Sequence, residues 1–330
     1  MKIMVTGVAG FIGSNLAAEL LRRGHTVCGL DNLSQGSFLN IEPIASHGAF
    51  TFIKGDIRDE AAVVRAAHGC DAIVHLAAYK IPRYDNAYET LTVNAVGSET
   101  VARVAGRTGI KLVAASTSDV YGKNPAVPFA EDMDSVIGNP TVKRWAYAIS
   151  KMFEEQLLFA CHDRFDIDVV LIRFFGGYGP NQNLSWRGGP QSVFIDRALD
   201  GLPLPLHGDG SQTRSFTYVS DHVDGIIAIL ESKHANLVVN LGSTREITIR
   251  DLARLTWRLV HDTDDVLIEV VPYSEFGRYE DVQRRIPDIS RAGELFGFEP
   301  KVDLEDGLTR TIEWQIDRRA AIAPPRALEA

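Results

Sequence analysis

Tyr147 and Lys151 are the two residues in this chain best suited to moving a proton. At positions i and i+4 they share one face of a helix. An ammonium near a phenol, with a positively charged ring close by, favours the phenolate and lowers the tyrosine pKa. Such a tyrosine takes a hydroxyl proton near neutral pH while the carbon gives up its hydride. A helix that merely exposes a Tyr and a Lys has the same spacing, so the pair needs company. Thr117 lies just past the strand read over Leu112–Ala115, where its hydroxyl can hydrogen-bond the same substrate oxygen. At the other end of the chain, Gly7, Gly10 and Gly13 punctuate the turn after the first apolar run. Glycines at this spacing allow a tight turn, close backbone approach to a pyrophosphate and close packing of helix on strand, with the helix N-terminus facing the phosphates. In this order, about 140 residues apart, the two motifs indicate a bound dinucleotide with something oxidised beside it.

The elements that must position these groups follow a βαβ rhythm. Ile3–Val5, Thr26–Leu30, Phe50–Ile53, Ala72–Leu76, Leu112–Ala115 and Val169–Ile172 read as buried parallel strands. Amphipathic stretches at Ser14–Arg23, Glu60–Ala67 and Tyr88–Arg107 alternate with them. The expected fold is α/β, a Rossmann-type doubly wound parallel sheet, with a smaller α/β C-terminal substrate lobe. Residues 1–175 form the expected NAD-binding domain and 176–330 the lobe, with some later segments returning to the first domain. The division falls where Gly and Pro cluster between Gly176 and Pro190. The tail after Trp314 reads as helical and then frayed.

Asp31 ends the second strand, 18 residues after Gly13, where a carboxylate binds both ribose hydroxyls of NAD and repels the extra phosphate of NADP. Asn32-Leu33-Ser34 follows rather than an arginine, so NAD is the expected cofactor. Asp56 has two readings: it reaches the adenine edge, or it caps the helix that starts near Asp59.

A chain of 330 residues buries a large core. Its net charge of -9 argues against a nucleic-acid or anionic-membrane surface. Cys28, Cys70 and Cys161 lack metal-ligand spacing and read as buried free thiols, so no metal is expected. The start Met1-Lys2-Ile3-Met4-Val5 is not a signal peptide, and no apolar run approaches the roughly 20 residues of a membrane span. The expectation is a cytoplasmic protein.

The chain resembles the extended short-chain dehydrogenase/reductase family, whose members modify nucleotide sugars. The motifs run nearly its whole length: Thr6 through Gly13, Asp31-Asn32-Leu33, Gly55-Asp56-Ile57, His75-Leu76-Ala77-Ala78, Val93-Asn94, Ser116 through Gly122, Tyr147-x-x-x-Lys151, and Arg173 through Pro180. The resemblance implies that Phe11, Ile12, Asn32, Ile57, Leu76, Ala77, Ala78 and Asn94 join the glycines at the cofactor. It implies that Thr117 completes a triad with Tyr147 and Lys151, and that Ser118 and Asp119 face the sugar. It also implies a UDP-linked substrate and a homodimer built from the helices Tyr88–Arg107 and Tyr147–Ala160. A catalytically silent NAD-binding sensor has no need of Thr117, Tyr147 and Lys151.

On the substrate side, His207 through Phe216 matches the family segment in which an arginine, here Arg214, clasps the substrate pyrophosphate. A guanidinium fork suits two phosphate oxygens. Arg285 is a second candidate for phosphate or sugar, whereas Arg284 reads as solvated surface. Asp221 reads as a structural helix N-cap. The loop Trp186–Gln191 either covers the sugar or is ordinary surface. Gly176-Gly177 stands where many relatives carry Asn, so the usual contact to the substrate is missing or replaced. Three fates remain for a 4-keto sugar. Dehydrating relatives carry Asp and Glu at the positions of Ser118 and Asp119, which demotes dehydration. Sugar-acid decarboxylases show Thr-Ser-Glu here and a segment like Arg285-Ile286-Pro287, but Asp119 is one methylene shorter than Glu. Parsimony places C4 epimerisation first and UDP-glucuronate decarboxylation second.

Overall fold

The computed structural model describes residues 1–80, 87–276 and 280–322. Its first half runs β1 (Lys2–Thr6), α1 (Phe11–Arg22), β2 (Thr26–Asp31), β3 (Phe50–Lys54), α2 (Glu60–Ala67), β4 (Ala72–His75), α3 (Ala87–Thr108), β5 (Lys111–Thr117), α4 (Trp145–Phe165) and β6 (Val169–Phe174). The second half continues with β7 (Gly177–Tyr178), α5 (Pro190–Leu199), β8 (Leu204–His207), β9 (Thr213–Ser215), β10 (Thr217–Tyr218), α6 (Val219–Glu231) and β11 (Leu237–Leu241). It ends with β12 (Glu246–Thr248), α7 (Ile249–His261), β13 (Ile268–Val271), β14 (Arg284–Arg285), α8 (Ser290–Phe296) and α9 (Leu304–Ile322).

Seven strands form one parallel sheet in the order β11-β6-β5-β4-β1-β2-β3. Their central residues are mostly apolar and buried, because helices cover both faces. On one face Leu16 and Leu20 of α1 share a core with Ile226 and Ile227 of α6. On the other, Val63 of α2, Val101 and Ala105 of α3 and Leu158 of α4 close a second core. The strand order reverses between β1 and β4, and a crevice opens there at the carboxyl ends of the strands, the place where open α/β sheets bind ligands. The six strands read from the sequence all form. β11 is the addition: it pairs with β6 from Leu237↔Val170 to Leu241↔Phe174, after the chain has already crossed the smaller lobe.

The smaller lobe frames the crevice with short strands. β9 lies between β12 and β14, and its parallel register with β14 sets Arg285 opposite Arg214. Registered neighbours point to the same face, so both guanidinium groups leave the sheet together. α6 differs from the sequence expectation. It starts at Val219 with Tyr218 as the cap, because β10 runs directly into it, and Asp221 lies inside the first turn. The buried Asp221 carboxylate instead accepts a hydrogen bond from the Val302 amide at 3.1 Å, tying α6 to the segment before α9. α9 carries the helix expected after Trp314; residues 323–330 lie outside the described residues. Among the described residues no helix is long and apolar enough to cross a membrane.

Candidate active site

A cavity of about 760 Å³ fills the crevice between the sheet and the smaller lobe. Its floor is the glycine turn. Gly7 has φ +69°, and its amide donates to Leu30 O at 2.8 Å. A Cβ on Gly7 would stand 2.8 Å from Ala77 N, and one on Gly13 would stand 2.2 Å from Gly7 O. Neither position admits a side chain, which keeps the backbone open to a pyrophosphate. No side chain caps the N-terminus of α1, so its first-turn amides remain directed at the cavity mouth. This cradle fits a dinucleotide.

Asp31 is fixed beside it. Its Oδ2 accepts from Ala9 N at 2.9 Å and its Oδ1 from Leu33 N at 2.7 Å. Burial raises its pKa, opposed by these two amides. Phe11, Ile12, Asn32, Ile57, Leu76, Ala77 and Ala78 also line the cavity with Gly10. Two expected cofactor residues do not. The Asp56 carboxylate faces Asn32 at 2.8 Å and Arg58 at 2.9 Å, and its hydrogen bonds with Arg58 hold its pKa down to about 2. The cap of α2 is Asp59, which accepts from Ala61 N at 3.0 Å, so Asp56 is not the cap. Asn94 is buried behind the wall, accepting from Tyr79 N at 2.7 Å and donating to Ser150 Oγ at 3.0 Å, where it braces α3 against α4.

Thr117, Ser118, Asp119, Tyr147 and Lys151 meet in the middle of the cavity. β5 extends through Thr117, two residues further than its apolar run, and the single 3-10 turn Ser118–Tyr121 follows. Thr117 Oγ1 accepts from Asp119 N at 3.2 Å, which sets the turn that presents the Asp119 carboxylate. α4 delivers Tyr147 and Lys151 from one face. Lys151 is 1% exposed and donates to Ala115 O at 2.7 Å and to Glu154 Oε2 at 2.8 Å. The expected lowering of Tyr147 is reversed: burial, then the Asp119 and Glu154 carboxylates, push its pKa above the ordinary tyrosine value. The sequence reading counted the Lys151 ammonium and a charged ring beside the phenol, but not its burial or the two carboxylates.

At the far end stand Arg214 and Arg285. Arg214 Nη2 lies 3.2 Å from Asp281 Oδ1, and Arg285 Nη2 lies 2.8 Å from Asp119 Oδ1. Arg284 faces Glu246 at the surface. The loop from Trp186 to Gln191 lines the cavity; Arg187 donates to Gln35 Oε1 at 2.8 Å and Trp186 stacks on His207. Gly176 has φ +44°, and a Cβ there would meet Ser215 O at 1.9 Å. The backbone therefore bars the asparagine side chain that many relatives carry.

Besides Glu154, two groups escaped the sequence reading. Asp281, 5% exposed, accepts from Tyr273 at 2.6 Å and faces both Arg214 and Arg144. Arg144 is 6% exposed, lines the cavity and places Nη2 3.8 Å from Asp119 Oδ1. Its signal was available, since it precedes Tyr147 by three residues, one helical turn.

Residues 3–242 match the model of a family described as the NAD dependent epimerase/dehydratase family. The chain belongs to that family. NAD is its cofactor, and the family transforms nucleotide sugars by epimerisation, decarboxylation or dehydration. The chain is 35% identical over 317 residues to a UDP-N-acetyl-alpha-D-glucosaminuronate decarboxylase of Bacillus cytotoxicus, covering 95% of this chain and 97% of the relative. It is 36% identical over 315 residues to UDP-glucuronic acid decarboxylase 1 of Danio rerio, covering 95% and 72%. A UDP-glucuronic acid 4-epimerase of Bacillus cereus, solved with UDP-glucuronic acid and NAD, superposes with a TM-score of 0.87 at 28% identity over 96% of this chain and 100% of that one.

Proposed function

We propose that this enzyme decarboxylates a UDP-linked sugar acid through a transient 4-ketone. The observation that carries this reading is the pair of cations at the sugar end: Arg285 at 2.8 Å and Arg144 at 3.8 Å from the same oxygen of Asp119. A neutral hexose offers two largely desolvated guanidinium groups only hydroxyl acceptors, whereas a sugar carboxylate offers them a second anion beside Asp119. The curated relatives named above act on uronic acids, which moves decarboxylation ahead of the neutral-sugar epimerisation ranked first on sequence.

NAD, when bound, supplies reversible hydride transfer at C4. In this reading Tyr147 takes the proton of the C4 hydroxyl and later returns it, while Thr117 hydrogen-bonds the same oxygen. Lys151 holds the nicotinamide ribose. Oxidation at C4 makes the C6 carboxylate β to a ketone, so its C5–C6 bond breaks with loss of carbon dioxide, and the electron pair passes to C5 as an enolate. Arg144 and Arg285 orient the carboxylate before it leaves, and Asp119, close to both, handles the proton that C5 gains. Arg214 clasps the diphosphate. C4 epimerisation of the same class of sugar acid is the second reading, supported by the Bacillus cereus enzyme. Carbon dioxide released from UDP-glucuronate or its N-acetylglucosamine counterpart supports decarboxylation; turnover without it supports epimerisation.

We also infer a homodimer through α3 and α4, which leave Tyr88, Leu91, Val96, Ile149 and Phe153 exposed. Light scattering that gives a monomer mass at micromolar protein contradicts this.

A further inference from the structure

A buried carboxylate beside the reacting centre has no part in the chemistry above. Glu154 lies on α4, one turn after Lys151, and is 1% exposed. Its Oε2 accepts a hydrogen bond from the Lys151 ammonium at 2.8 Å. Its Oε1 makes no hydrogen bond of normal geometry among the described residues and stands 4.0 Å from His75 Nε2. Replacing a buried pair of this kind by apolar side chains is often neutral or stabilising, so packing alone does not account for it.

We propose that Glu154 is a positioning residue for the proton transfer: it anchors Lys151 and offsets the pull of the ammonium on Tyr147, so that the base ionises at a higher pH than Lys151 alone would set. This rests on Tyr147 being the base and is independent of the sugar and its fate. Two acceptors on different elements, Ala115 O on β5 and Glu154 Oε2 on α4, hold the Lys151 nitrogen in place. A lone ammonium acts on a nearby phenol as a full charge; an ammonium with a carboxylate at contact acts as a dipole, whose field falls off faster. The direction for Tyr147 agrees, since Glu154 is among the carboxylates that raise it.

The surrounding charges leave this arithmetic intact. His75 on β4 packs against Glu154, but burial and Lys151 push its pKa down to about 3, and it stays neutral in the working range. It sits 2.7 Å from Thr6 Oγ1 and 3.0 Å from Ser98 Oγ of α3. Glu155, next on α4, is matched by Arg173 of β6 at 2.7 Å. On the cavity side, Asp119 is matched by Arg285 and approached by Arg144. Glu154 is itself raised by burial, opposed by the charge and hydrogen bond of Lys151 and by the Ser98 hydroxyl.

The test is an ultraviolet titration of tyrosinate in the NAD-saturated protein, with Tyr147→Phe identifying the Tyr147 signal. Glu154→Gln keeps the acceptor for Lys151 and removes the charge. Its Tyr147 midpoint is expected to fall by about one unit, as loss of a nearby like charge predicts, and the acid limb of the turnover profile moves the same way. Glu154→Asp restores the charge and returns most of the shift. If Glu154→Gln does not fold, Glu154→Met removes both the charge and the acceptor, and the Tyr147 midpoint is expected to fall with NAD affinity weakened as well, since Lys151 loses one of its two anchors. An unchanged midpoint in the charge-removing variant overturns the role of Glu154 while leaving Tyr147 as the base. A titration that survives in Tyr147→Phe overturns the base assignment and this proposal with it.

Discussion

Arg285→Ala removes the cation closest to Asp119 without disturbing the strand that carries it, because the Cβ remains. The side chain is 15% exposed, so its contact with a substrate carboxylate is made largely out of water. A hydrogen bond to a charged group under those conditions is worth about 1.5–3 kcal/mol, which corresponds to a roughly 10- to 150-fold loss in binding. Arg144, 3.8 Å from the same Asp119 oxygen, keeps that carboxylate from being left bare and argues for the lower half of the range. The assay is calorimetric binding of UDP-glucuronate and of UDP-glucose to NAD-loaded protein carrying Tyr147→Phe, which binds the ligand with little turnover. The two ligands share every group except the C6 carboxylate. Arg285→Ala is expected to weaken UDP-glucuronate by that factor and leave UDP-glucose within a few-fold of the Tyr147→Phe parent. Equal weakening of both ligands refutes the reasoning and moves Arg285 to the diphosphate, beside its registered neighbour Arg214.

Tyr147→Phe should lower turnover by roughly a hundred- to ten-thousand-fold with NAD binding nearly intact; near-normal turnover removes Tyr147 from the mechanism. Asp31→Ala should weaken NAD, narrow its advantage over NADP and lower the melting temperature, since the amides of Ala9 and Leu33 lose their acceptor at about 1–3 kcal/mol each. A wild-type protein that prefers NADP in titration contradicts this placement. Arg173→Leu strips Glu155 of two contacts at 2.9 and 2.7 Å in a buried setting and should cost about 3–5 kcal/mol in urea unfolding. A loss below about 1 kcal/mol would show that Ser116 and water suffice for Glu155.

The cofactor floor was legible in the sequence because its determinants are local. Strands buried on both faces read as continuous apolar runs, and the glycines sit within one turn of chain. Thr117, Tyr147 and Lys151 were equally legible, since helix spacing and a strand end fix their directions. What stayed hidden depends on pairing at a distance. β11 joins β6 only after about 60 residues of intervening chain, and no local pattern says that its Asn240 is buried. Arg214 and Arg285 were both candidates, yet only the register of β9 with β14 sets them side by side. Glu154 is the hardest case. A glutamate within a helix reads as solvated surface, and α4 buries Glu154 and Glu155 together. Burial of the phenol first, and then the Asp119 and Glu154 carboxylates, set the direction of the tyrosine pKa, and none of the three shows in the Tyr-x-x-x-Lys spacing.

The central claim is that the sugar loses its carboxylate after oxidation at C4. Incubating the NAD-loaded enzyme with UDP-glucuronate in deuterium oxide, and following the sugar by mass and proton NMR, tests it most directly. The account predicts carbon dioxide and a UDP-pentose carrying one solvent deuterium at C5. A UDP-hexuronate of unchanged mass, inverted at C4 and unlabelled at C5, would contradict it.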